Sequence, residues 1–181
     1  MKIAVHLAEG FEEIEAISII DVLRRADLEV IIVSIMNDLK VTGSHRIQVV
    51  ADKLFDDVDY DFVDMIVLPG GMSGAKNLNN HNGLKKQIEC FNKKVKFLGA
   101  ICAAPLVFGE LGILKDKKAT CYPGFENYLH GAEITGTSTE IAGNIITGKG
   151  PGVAVQFAIN IVEMLLGPAP ANQLAVEMII Q

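Results

Sequence analysis

Short apolar runs alternate along this chain with longer stretches in which apolar residues recur every three or four positions. That is the pattern of parallel strands buried on both faces, separated by helices that cover them. Residues 2–7 are the first such run, and residues 8–11 follow as a loop. Glu12-Glu13 opens a helix, where acids complement the dipole, and Arg24-Arg25 closes its last turn. Ile14, Ile17, Ile20 and Leu23, flanked by Ile19 and Val22, give this helix its apolar stripe. Residues 29–34 are the second strand, so a βαβ unit is complete by residue 34.

Polar residues 37–40 lead into a small ribbon, residues 41–43 and 46–51, appended to the main sheet. Residues 56–61 form an acidic loop, and residues 62–68 the third core strand, which ends at Pro69-Gly70-Gly71. Residues 77–94 read as one helix with Leu84, Ile88 and Phe91 on its inner face. The fourth strand, residues 95–101, runs at once into a short helix over 103–111 that stops at Gly112. Residues 119–122 read as another strand, and 135–147 as two short strands around Gly143-Asn144. The glycine-rich stretch 148–152 leads into an apolar helix over 153–166, and a last helix covers 171–179. With no repeat, low-complexity tract or linker, the chain reads as one α/β domain over residues 1–181, a mostly parallel sheet with helices on both faces.

Composition narrows the function classes. Half of the 181 residues are hydrophobic and mean hydropathy is +0.33, yet no apolar run approaches the roughly 18 residues of a membrane span. The first residues enter a strand directly, without the layout of a signal peptide. Three widely spaced cysteines, Cys90, Cys102 and Cys121, argue against a disulfide framework or a zinc site and for a reducing, cytoplasmic setting. A net charge of −6 disfavours nucleic acid. The apolar excess leaves room for an oligomeric interface.

Ligands of an open parallel sheet bind outside the carboxyl ends of its strands. The loops after the first, third and fourth strands meet there, bringing residues 9–15, Gly70-Gly71 and Cys102 to one edge. Cys102 stands at a strand-to-helix join among small residues, Gly99, Ala100, Ala103 and Ala104. Two readings stand at this point: a nucleophile elbow, or a packed core cysteine in a βα crossover. Glu15 is placed to face the crevice, whereas Glu9, Glu12 and Glu13 read as ordinary helix-start acids. Gly70-Gly71 is either a plain turn or, with the elbow, a pocket of backbone donors. His6, His81 and His130 lack metal-ligand spacing, so neither a metal nor a cofactor is expected. Cys90 and Cys121 read as core residues, with Cys121 also a candidate resolving thiol for Cys102.

Ala8-Glu9-Gly10-Phe11-Glu12-Glu13-Ile14-Glu15, Leu68-Pro69-Gly70-Gly71, Ala100-Ile101-Cys102-Ala103-Ala104-Pro105 and Thr147-Gly148-Lys149-Gly150-Pro151-Gly152 together resemble the ThiJ/PfpI family, within it the deglycase branch. The resemblance runs in order along essentially the whole chain. It implies a flavodoxin-like three-layer sandwich, a homodimer, and a reactive Cys102 on a nucleophile elbow. It also implies a protonated Glu15 that donates to the Cys102 thiolate, with backbone N–H groups of Gly71 and Ala103 as oxyanion donors. Such a thiol is expected to ionise well below the ~8.5 of free cysteine. His45 occupies roughly the place of a pocket-side arginine in relatives, and Arg25 is a candidate contribution from a partner subunit. Many members carry His where this chain has Tyr122, a poor base with a pKa near ~10.

The resemblance implies a cofactor-independent glyoxalase III or protein deglycase acting on a small reactive carbonyl or glycated adduct. The alternative is a redox-sensing or chaperone-like stress protein without turnover. Two lesser alternatives are a thiamine or thiazole phosphate link, for which residues 148–152 lack a phosphate-loop pattern, and a PfpI-type hydrolase, against which Tyr122 counts.

Overall fold

The computed structural model describes residues 1–180. In chain order the first half comprises β1 (Lys2–Leu7), α1 (Glu13–Arg25), β2 (Glu29–Ser34), β3 (Lys40–Thr42), β4 (Gln48–Val50), β5 (Lys53–Leu54), β6 (Met65–Leu68), α2 (Met72–Asn80) and α3 (Asn82–Lys93). The second half comprises β7 (Phe97–Ile101), α4 (Pro105–Glu110), β8 (Lys118–Ala119), β9 (Glu133–Ile134), β10 (Thr139–Ala142), β11 (Ile145–Gly148), α5 (Ala154–Leu166) and α6 (Pro168–Glu177).

Seven strands form the central sheet in the order β10-β11-β7-β6-β1-β2-β5. Every pairing is parallel except the β10–β11 hairpin at one edge. One helical layer is α1, α5 and α6, and α2, α3 and α4 form the other. β1 lies inside the sheet, between β6 and β2, with Ile3, Ala4, Val5, His6 and Leu7 all fully buried, as a strand covered on both faces must be. This is an α/β sandwich with a mostly parallel sheet, as the alternating pattern predicts, and its flavodoxin-like form is the one the family resemblance implies. Among the described residues no helix is long and apolar enough to cross a membrane.

The structure corrects several local expectations. The stripe assigned to α1 holds in its second half, where Ile20 and Leu23 are buried with the flanking Ile19 and Val22, but not in its first: Ile14 and Ile17 are 59% and 46% exposed, while Glu15 and Ala16 face inward. Glu15, Ile19 and Val22 share one face by their spacing, so the acid is carried inward by its apolar neighbours. The helix read over 77–94 is two helices. His81 adopts an extended backbone between them, and its Nδ1 accepts the Leu84 N–H at 3.0 Å, capping α3.

The ribbon of β3 and β4 is a separate two-stranded sheet, and only the following β5 joins the main one. The strand read over 119–122 is reduced to β8, paired with β9 away from the main sheet. Beyond it the backbone is committed elsewhere: the Thr120 N–H donates to Thr147 Oγ1 at 3.0 Å and the Tyr122 N–H to the Cys102 carbonyl at 2.8 Å. Finally α6 starts at Pro168, three residues before the expected position, because proline is tolerated in a first helical turn.

Candidate active site

β7 delivers Cys102 to the carboxyl edge of the sheet, where the chain reverses into α4. Cys102 has φ +64°, a left-handed conformation that costs a non-glycine residue on the order of 1–3 kcal/mol. Bonds on both sides hold it there. Its N–H donates to the Gly148 carbonyl at the end of β11 (2.9 Å), and its own carbonyl accepts from Tyr122 (2.8 Å). α4 is too short, six residues, for its dipole to carry the effect that the sequence suggested. The donors aimed at the thiol are instead the backbone N–H groups of Gly71 and Ala103.

Two loops bring the remaining groups in. The Glu12 N–H donates to the Gly70 carbonyl (2.9 Å) and the Gly74 N–H to the Gly10 carbonyl (3.1 Å), tying the β1–α1 loop to the start of α2. Gly71, at φ +94°, turns the chain there, and a Cβ would run into the Gly10 carbonyl oxygen. Gly70 sits between the two principal side chains: a Cβ on it would lie 2.6 Å from Cys102 Cβ and 2.8 Å from Glu15 Oε2.

Glu15 is fully buried, and its Oε2 accepts the Gly70 N–H at 2.7 Å. Oε1 has no hydrogen-bond partner among the described residues, and the Cys102 thiol is near enough to weigh on the carboxyl's ionisation. Burial pushes the carboxyl up to about 7, outweighing the Gly70 and Cys102 contacts. The thiol, in turn, is not low by itself. Burial, then the Glu15 charge, pushes it up to about 12, against the pull of the Gly71 and Ala103 N–H groups. This goes against the expectation of a thiol that ionises well below the free value: only 9% exposed, Cys102 is desolvated, and a charge on Glu15 opposes one on sulfur.

The cavity above Cys102 has a volume of about 360 Å³ and is lined by Glu12, Gly71, Met72, Cys102, Ala103, Tyr122, Phe125 and Pro151. His45 lies outside it. Its Nδ1 bonds Glu13 Oε2 at 2.9 Å, and its ring is 69% exposed. The facing Glu13, then Glu12, raises the His45 pKa. Burial works to raise Glu13, but bonds from the His45 side chain and backbone win and hold it below the usual carboxylate range. Sequence reasoning missed these acids: Glu13 is buried under Ser44 and His45, Glu12 lines the cavity, and Glu9 Oε1 accepts the Thr42 N–H at 3.0 Å. Glu12, Glu13 and His45 hold ligand-type atoms within 4.8 Å of one another, but these already bond among themselves and to Ser44.

Arg25 is not brought to this site within the protomer. It pairs with Asp21 (2.7 Å) at the far end of α1, about 15 Å along the helix axis from Glu15. Cys121 is buried off the cavity wall, and burial, then Glu126, pushes its thiol up to about 11. Tyr122 stands on the cavity wall, 46% exposed.

A cysteine held in a left-handed turn between strand and helix, at the carboxyl edge of a flavodoxin-like sheet, gives the chain the backbone layout of an α/β protein with a strand–elbow–helix turn. The profile of the DJ-1/PfpI family matches residues 1–164, and the chain belongs to that family. It is 39% identical over 176 residues, 96% of its length, to Protein DJ-1 homolog B of Arabidopsis thaliana, although it spans only 40% of that relative. It is 33% identical over 168 residues to the Caenorhabditis elegans protein named glutathione-independent glyoxalase DJR-1.2, covering 92% of this chain and 89% of that one. Its fold matches the solved structure of oxidized Toxoplasma gondii DJ-1 with a TM-score of 0.94 at 34% identity, over 98% of this chain and 97% of that one.

Proposed function

We propose that this protein converts small 2-oxoaldehydes of the methylglyoxal type into 2-hydroxy acids without a cofactor, with Cys102 as nucleophile and Glu15 as proton carrier. One observation carries the reading: a buried carboxyl pushed up to about 7 faces a thiol at which two backbone N–H groups are aimed. The pair as a whole gives up one proton near neutrality, and the lower of the two values is the carboxyl's. The reactive form is the microstate in which Glu15 keeps its proton and the charge rests on sulfur, beside donors that favour it.

The thiolate adds to the aldehyde carbon, forming the C–S bond, and the carbonyl oxygen takes the Glu15 proton to give a hemithioacetal. Gly71 and Ala103 N–H groups steady the oxyanion as it forms. The Glu15 carboxylate then removes the hydrogen from that carbon, and a proton is returned to the neighbouring carbon. The hemithioacetal thereby becomes a 2-hydroxy thioester with no change in overall oxidation state. Water hydrolyses the thioester, releasing the 2-hydroxy acid and the free thiol. In the deglycase form of the reaction the substrate is an adduct of the same aldehyde on a protein side chain: the C–N or C–S bond of the adduct breaks, the side chain leaves with a proton, and Cys102 takes the freed aldehyde carbon through the same steps. The Caenorhabditis elegans relative is named a glutathione-independent glyoxalase, which agrees with this reading.

The test is steady-state lactate formation from methylglyoxal by the wild type and Cys102→Ala. We expect the variant to fall to the uncatalysed rate, and equal rates would overturn the proposal. A second reading, an oxidant sensor without turnover, is favoured by the same N–H cradle, which suits the oxygens of an oxidised sulfur. Peroxide would transfer oxygen to the thiolate, giving a sulfenic acid and then a sulfinic acid. Selective Cys102 oxidation without carbonyl consumption would decide for it.

A further inference from the structure

Two cavities meet at Tyr122. One is the cavity over Cys102. The other, about 320 Å³, is walled by Pro123, Lys149, Gly150, Gly152 and Val153. Tyr122 and Pro151 line both, so the two cavities adjoin at these residues. Pro151 opens a short 3₁₀ turn and belongs to the backbone frame, which leaves the Tyr122 ring as the removable part.

The ring is placed by its neighbours. The Tyr122 N–H is tied to the Cys102 carbonyl, so the side chain springs from a point fixed against the elbow itself. On one side the ring lies against Gly150, where a Cβ would come within 3.1 Å of Cδ2; on another it meets Phe125 edge-on with centroids 6.5 Å apart. The second cavity is apolar in character. Its Lys149 contributes the aliphatic stem, while the ammonium group turns away to the Gly136 carbonyl at 2.8 Å.

We infer that Tyr122 is a specificity-determining residue: its ring stands between Cys102 and the solvent-open apolar groove beyond it, and that groove is a subsite for the apolar tail of a longer 2-oxoaldehyde. The inference rests on Cys102 being the reacting atom of the proposed function, and its first test is independent of carbonyl chemistry. Iodoacetamide and its N-benzyl derivative react by one step, in which the thiolate forms a C–S bond and iodide leaves. Their rates are compared at the Cys102 peptide by mass.

In Tyr122→Ala the ratio of benzyl to parent reagent should rise about tenfold or more, the scale of a hydrophobic pocket opened by several carbons. Tyr122→Phe should restore the wild-type ratio, because the ring and not the hydroxyl forms the wall. An unchanged ratio in Tyr122→Ala overturns the inference, as does a ratio in Tyr122→Phe that matches Tyr122→Ala. If Tyr122→Ala fails to fold, Tyr122→Leu is read in its place, with a smaller rise expected and no rise counting against the inference. The kcat/KM ratio of phenylglyoxal to methylglyoxal should move in parallel. A shifted alkylation ratio without turnover of either aldehyde upholds the partition while rejecting the carbonyl reading.

Discussion

Gly70 donates its backbone N–H to Glu15 Oε2 at 2.7 Å, and the same glycine leaves no room for a Cβ between that oxygen and Cys102. The spacing of acid and thiol is therefore set by an absent side chain. Gly70→Ala must push one or both groups aside. Overpacking of this kind costs about 1–3 kcal/mol, so urea denaturation should show a lower midpoint with an unchanged slope. Cys102 alkylation at neutral pH should slow as well, since the carboxyl and the N–H donors lose their alignment. A variant with wild-type stability and reactivity would show that the contact is loose.

Glu15 also links stability to pH. Its folded-state pKa is raised from 4.5 to about 7, so between those values the folded protein holds a proton that the unfolded chain has released. The carboxyl's favourable contribution is then complete below about pH 4.5 and is lost as pH rises through about 7. Glu15→Gln removes the ionisation. The stability difference between the variant and the wild type should therefore shift in the variant's favour by roughly 3 kcal/mol from pH 4.5 to pH 8, following ~1.36 kcal/mol per pKa unit. Denaturant titrations of both proteins at the two pH values check this, and parallel curves would refute it.

The same substitution separates two roles for Glu15 in reactivity. If the carboxyl were only a negative charge beside sulfur, Glu15→Gln would speed iodoacetamide attack at Cys102. If its proton is donated to the thiolate, the weaker amide donor should slow attack at pH 7–8 by about tenfold, one pKa unit. We expect the fall. A pH profile of alkylation from pH 5 to pH 10 reads the difference, and a thiol that titrates like free cysteine in both proteins would end the activated-nucleophile argument.

What was legible in the sequence was whatever depended on neighbouring residues. The run 2–7, the glycine-rich entry to α5 and the small residues around Cys102 announce their roles locally, because strand burial and tight turns are decided within a few positions. Contacts between distant segments were not legible. Nothing near Glu13 signals that Ser44 and His45 will fold over it, and nothing near Tyr122 signals that its N–H will be taken by the elbow. α1 misled for a different reason. It carries apolar residues on two faces, and Ile14 and Ile17 were read as continuing the buried face of Ile20 and Leu23 when Glu15 and Ala16 hold that place.

Charge selectivity follows from the acids that were missed. Glu12 lines the cavity with its side chain only 13% exposed, and the nearby His45 is already engaged by Glu13. The mouth of the site is thus acidic and not cationic. Iodoacetate should alkylate Cys102 more slowly than iodoacetamide, and Glu12→Gln should narrow that gap about fivefold at low salt, the effect fading as salt screens it. A gap that does not respond to the substitution would remove Glu12 from the list of groups that select substrates.

Ile14 and Ile17 leave an apolar face of α1 in solvent, and Ile47 adds to it: its N–H reaches Glu13 Oε1 at 3.4 Å, so it stands beside the start of the helix at 56% exposure. A monomer rarely leaves such a patch uncovered, and we propose a second copy of this chain as its occupant. A two-fold arrangement would set like against like, so a charge placed on the patch meets its own image across the axis. Ile17→Asp should then convert a dimer to a monomer in sedimentation equilibrium, while Ile17→Leu should leave the dimer intact. If the wild type sediments as a monomer at micromolar concentration, the patch serves something other than self-association.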